Sequence, residues 1–126
     1  MAVYERFRAW QLCHDLSVAV YQATTTWPKA ELFGLSSQAR RAAHSAAANI
    51  AEGSAKRGSR EFRRYLDISL GSLSELSYTL LLARDLRILT QAEWARLDQL
   101  HRNAGGMTWL LYKSMLAKKD INVSSS

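Results

Sequence analysis

The sequence predicts an all-α protein, an antiparallel up-down-up-down four-helix bundle, and three observations predict it. Breakers are scarce, one proline and six glycines in 126 residues, which favours long helices. Phe62, Leu66, Ser69, Leu73, Leu76, Leu80 and Ala83 keep 4-3-4-3-4-3 spacing, a heptad seam. Thr90-Gln91-Ala92-Glu93 is a capping box, with Leu89 and Trp94 as its hydrophobic staple. Helices joined by short connections bury their apolar faces most simply as such a bundle. One domain is expected over 1–119, with a disordered tail over 120–126.

The first helix is expected over about 8–27. Leu12, Leu16, Ala19, Val20 and Ala23 make one face, and Phe7, Trp10, His14 and Tyr21 an aromatic flank. Together they form a stripe wider than one partner helix needs. Trp27-Pro28 ends the helix, because proline pushes the preceding residue out of the helical region.

A loop follows, in which Gly34 is available for a positive φ and Ser36 and Ser37 resemble an N-terminal cap. The second helix is expected over 37–52, with Ala39, Ala42, Ala43, Ala46 and Ile50 as its core stripe. Side chains this small let neighbouring helices approach closely. Gly53 fits the left-handed residue just past the helix end.

The third helix, over 59–86 with Ser59 as its cap, carries the heptad seam and is roughly 40 Å long. The fourth, over 91–117, repeats Trp94, Leu97, His101, Ala104, Thr108, Leu111 and Met115 at 3-4 spacing. Gly105-Gly106 inside it means that a partner helix approaches closely there or that the helix bends.

Composition narrows the function classes. Hydrophobic content of 48% against 22% charged residues is globular. There is no apolar run of the roughly 18 residues a membrane span needs, and charges in MAVYERFRAW argue against export. A single cysteine, Cys13, forms no internal disulfide and fits a reducing compartment, so a cytoplasmic location is expected. Net charge of +6 and a pI near 9.8 allow attraction to polyanions. The window from Gln38 to Arg64 holds seven lysines and arginines against two acids, Glu52 and Glu61.

Two constellations stand out there. Arg41, Ser45, Asn49 and Glu52 line one edge of the second helix, and Glu75 is the acid placed to meet them from the third. Such a set is either a ligand site or an internal network fixing helix register. Arg60, Arg63, Arg64 and Asp67 share a face of the third helix, beside Lys56 and Arg57 in the preceding loop, with Arg40 added from the second helix. That surface is either a solvated face with Arg–acid pairs or a site for a phosphate backbone. No aromatic side chain is expected among these arginines, so base stacking is not indicated.

A further stripe, Tyr65, Ile68, Ser72, Thr79, Leu82 and Leu86, adds to the aromatic flank of the first helix. Trp10, Tyr21, Tyr65, Ile68 and Leu82 are therefore candidates for a subunit interface. Catalysis is not expected. Asp98 and His101 make one acid-x-x-His pair where a di-iron bundle wants two plus further carboxylates, and His14-Asp15 does not complete the set. Phosphate-loop, zinc-ligand and nucleophile motifs are also missing, so neither a metal nor a cofactor is expected.

Trp10-Gln11, Tyr21, Thr24, Gly34-Leu35-Ser36-Ser37-Gln38, Arg40-Arg41-Ala42-Ala43, Ser45, Asn49-Ile50-Ala51-Glu52-Gly53, Glu61-Phe62, Gly71-Ser72-Leu73 and Glu75-Leu76 occur in that order. In these pieces the chain resembles the small bacterial four-helix-bundle proteins first found encoded in intervening sequences of 23S ribosomal RNA genes. The resemblance implies an antiparallel bundle that assembles into a ring, a homopentamer, and a link to nucleic acid. A looser relation is to the accessory protein of diversity-generating retroelements, which implies RNA, DNA or a reverse transcriptase as partner. With charge serving only solubility, the alternative is an oligomeric scaffold for protein partners.

Overall fold

The protein's computed structural model describes residues 1–124, with side chains through Lys118; the last helix, expected to end at 117, continues to Ser124, and of the tail expected over 120–126 only 125–126 lie outside the described residues. A 3-10 turn at Val3–Arg6 leads into α1 (Arg8–Thr24), followed by α2 (Leu35–Ser54), α3 (Ser59–Asp85) and α4 (Gln91–Ser124). Each helix packs on its neighbours in the cycle α1–α2–α3–α4, and α4 closes the cycle against α1. This is the antiparallel up-down-up-down bundle, without strands among the described residues. No described helix is long and apolar enough to cross a membrane.

Helix α1 stops at Thr24, before the expected Trp27. The cause is a run of three threonines whose hydroxyls take up the last carbonyls. Thr24 Oγ1 donates to Val20 O at 2.9 Å, Thr25 to Gln22 O at 2.7 Å and Thr26 to Ala23 O at 3.2 Å. Trp27 then turns inward and is buried.

Helix α2 begins earlier than expected, at Leu35. Gly34 sits at the N-cap with φ −111°, so no positive φ is used there. The expected serine cap is not made; Leu35 N–H donates to the Glu31 carboxylate at 3.2 Å, and Ser36 is buried in the bundle. Gly53 is also a correction, because it lies inside the helix and is buried. The positive φ of the elbow belongs to Gly58 (84°), which also takes the N-cap position expected for Ser59.

All seven positions of the α3 seam are buried, Leu66, Leu76 and Ala83 at 1% exposure or less. They face the small stripe of α2 and Leu97, Ala104, Thr108 and Met115 of α4. Buried hydroxyls tie the layers. Ser69 Oγ donates to Ala46 O at 2.6 Å, and Thr108 Oγ1 lies 3.6 Å from Cys13 Sγ.

The α3–α4 turn closes α3 with a Schellman motif, in which Ile88 N–H reaches Ala83 O (2.8 Å) and Arg87 N–H reaches Arg84 O (2.9 Å). The capping box then forms as expected, with Glu93 N–H donating to Thr90 Oγ1 at 3.1 Å and Thr90 N–H to Glu93 Oε1 at 3.0 Å. Gly105 and Gly106 face open space, so no helix of the same chain approaches them.

Candidate nucleic-acid interface

Antiparallel order puts the starts of α1 and α3 and the ends of α2 and α4 at one end of the bundle, with the Lys56–Gly58 elbow. That end collects Arg6, Arg8, Lys56, Arg57, Arg60, Arg63, Arg64, Lys113 and Lys118 against Glu5, Glu52, Glu61 and Asp67. The excess is five positive charges, nearly the whole net charge of the chain. Opposite-sign residues are closely balanced elsewhere.

The α3 part of this surface is concave. Arg60, Glu61, Arg63, Arg64 and Asp67 line a depression of about 560 Å³. Helical spacing sets them on one side, as the sequence predicts, while Phe62 and Leu66 turn inward. Arg64 is half committed, pairing with Glu61 at 3.1 Å on an exposed surface. Arg63 is partly buried, and its Nη1 is buried without a hydrogen-bond partner among the described residues. Lys56, Arg57 and Arg60 are exposed.

An aromatic side chain does stand among these cations. The Lys56 ammonium lies 5.6 Å from the Tyr65 ring centre and the Arg64 guanidinium 5.3 Å from it. Tyr65, expected at a subunit interface, is half-buried and belongs to the basic end. The missed signal was adjacency to Arg64: Tyr65 lies on the flank of α3 that turns toward the end of α2.

Arg40 does not join the site. It is half-buried, donates from Nε to Thr24 Oγ1 at 2.7 Å and stacks its guanidinium 5.4 Å from the Tyr21 ring. Fourteen residues of helix separate it from Ser54 at the end of α2, about 21 Å along the axis.

The polar edge of α2 is partly assembled. Ser45 Oγ meets Ser72 Oγ at 2.7 Å, and Asn49 Nδ2 donates to Ser45 O at 2.8 Å. The Arg41–Glu75 pair is 3.8 Å apart with both side chains more than half exposed. An internal ion-pair network is therefore corrected to a surface contact above a small hydroxyl cluster, and Glu52 is exposed. Asp98 and His101 are separated into structural tasks, Asp98 accepting from Arg102 at 2.8 Å and His101 Nε2 lying 2.7 Å from Leu73 O.

Of the other interface candidates, Ile68 and Tyr21 are exposed at 45% and 44%. Leu82 and Trp10 are half-buried, with Trp10 stacked 4.9 Å from His14. Sequence reasoning passed over Phe33, 93% exposed in the α1–α2 connection, and Trp109 and Leu110 on the outside of α4. The Trp109-Leu110-Leu111-Tyr112 run holds more apolar residues than one seam buries, which is the signal that marked it.

The fold and the basic end together define a small helical-bundle protein with a polarised charge distribution. The model for the 23S rRNA-intervening sequence protein family matches residues 5–109, and the chain belongs to that family. Among solved structures, the chain is similar to a protein of unknown function of the S23 ribosomal protein family from Bacteroides thetaiotaomicron. The two are 20% identical with a TM-score of 0.69 over 85% of this chain and 97% of that one, which establishes a shared fold. No curated protein matches the chain.

Proposed function

We propose that the protein is an oligomeric, cytoplasmic accessory protein that binds nucleic acid through its phosphate backbone, without reading sequence. The observation that carries this is the excess of five positive charges at the elbow end. Arg60, Arg63 and Arg64 stand there in one concave patch, and guanidinium groups so placed are suited to phosphate oxygens. Several such patches in a ring would act together, because linked weak sites raise avidity without new contacts. Exposed apolar side chains, Phe33 above all, support the assembly half of the proposal.

The test is fluorescence anisotropy of labelled RNA and DNA strands across a salt series. The expected result is affinity that falls steeply with salt, with a log–log slope of about −3 for four or five contacts per subunit. Replacing Arg60, Arg63 and Arg64 together by glutamate is expected to abolish it. Wild-type protein that binds no strand at low salt overturns the reading and leaves the protein-scaffold function.

A further inference from the structure

The basic end is not solid. A cleft of about 380 Å³ opens between the starts of α1 and α3 and the ends of α2 and α4, floored by Phe7, Phe62 and Met115 and rimmed by Ser54, Lys56 and Lys118. Its volume falls in the lower part of the range for small-molecule sites, roughly 300–1,000 Å³. The two phenylalanine rings meet edge to face, 5.4 Å apart at 74°; Phe62 is buried, so the aromatic surface the floor presents is mainly that of the half-buried Phe7. The lysine pair gives the mouth a positive charge, and α3 begins on the same rim.

We infer that this cleft receives an unstacked nucleobase, and that the polyanion at the basic end is single-stranded nucleic acid held by base as well as phosphate. A nucleotide joins a flat aromatic group to an anion through a short linker, the combination that an apolar floor beside two lysines fits. Contact with the base face is tolerant of sequence, because every base has one. A duplex keeps its bases stacked and paired, and delivers one only by flipping it out. This inference rests on the proposed polyanion binding and adds the class of strand.

Three labelled probes of equal phosphate number test it: a single-stranded DNA, the same sugar-phosphate strand without bases, and a duplex of half that length. The base-bearing strand is expected to bind about tenfold tighter than the abasic one, the effect of one base–aromatic contact. Ser54→Leu fills the cleft with an aliphatic side chain while leaving every cation in place, and Phe7→Leu removes one ring while keeping bulk. Each is expected to bring the base-bearing strand to the abasic level with an unchanged salt slope. Equal affinity for the first two probes, a duplex that binds as tightly, or a preference that survives both variants overturns the cleft assignment and leaves charge-driven binding standing. Failure of all three probes at low salt overturns the charge reading as well.

Discussion

Gly53 packs directly beneath Tyr65: a Cβ at Gly53 would stand 2.7 Å from Tyr65 Cβ and 2.9 Å from Phe62 Cδ1. The end of α2 thus lies against the start of α3 with no room for a side chain, and this contact places Tyr65 beside Lys56. Gly53→Ala gains about 1 kcal/mol of helix propensity but forces overpacking that typically costs 1–3 kcal/mol. A net loss of about 1 kcal/mol in urea unfolding is expected. A more stable variant would contradict the close approach.

Arg87 is the one described non-glycine residue with a positive φ, 62°. It occupies the left-handed position of the Schellman motif that ends α3, where a Cβ crowds the following carbonyl at a cost of roughly 1 kcal/mol. Arg87→Gly relieves that crowding. Its melting point is expected to rise by a few degrees, and a fall would show that the Arg87 side chain contributes more than its backbone costs.

Glu75 and Ser69 both face α2, yet their removal has different consequences. The Arg41–Glu75 pair is long and exposed, so Glu75→Gln is expected to change stability by less than about 0.5 kcal/mol. Ser69 is fully buried and donates to the Ala46 carbonyl, which also holds its own helical bond within α2, so Ser69→Ala removes one buried hydrogen bond at a cost of about 1 kcal/mol. Parallel denaturant titrations separate the two. A large loss for Glu75→Gln would restore the internal network.

This contrast shows what was legible in the sequence. Spacing identified the α3 seam and the capping box because each depends on residues within one helix. The Arg41–Glu75 geometry depends on the rotation of α2 against α3, which spacing along either helix leaves open. Gly53 misled for a related reason: a glycine near a helix end fits a left-handed cap, but here it admits Phe62 and Tyr65 from the next helix. The cleft joins Phe7 to Met115 and Lys118, far apart in sequence, and only closure of α4 against α1 brings them together.

Cys13 is buried against Thr108, and burial pushes its thiol pKa up from 9.0 to about 11, the Thr108 hydroxyl opposing this more weakly. The folded state therefore holds the proton more tightly than the unfolded chain. Its contribution is fully present below pH 9 and is lost as pH rises toward 11, a change of about 3 kcal/mol. The difference in unfolding free energy between wild type and Cys13→Ala is expected to shrink over that window. A difference independent of pH between 8 and 11 would refute the burial effect. At pH 8 the native thiol is also expected to resist alkylation, since the thiolate is the nucleophile.

Phe33 is 93% exposed at the tip of the α1–α2 connection, next to Leu32 and beside a depression of about 590 Å³ that Tyr21, Arg40 and His44 help to line. A side chain that makes so little contact within its own chain contributes little to the fold. In the proposed assembly it is instead an anchor for a neighbouring subunit, where a buried aromatic residue commonly carries much of the binding energy. Phe33→Asp tests this without disturbing the bundle. The helical signal and melting of the isolated chain are expected to be unchanged, while the mass measured by light scattering falls to that of a single subunit. A variant that keeps the wild-type assembled mass would remove Phe33 from the interface, and a monomeric wild type at micromolar concentration would remove the assembly itself.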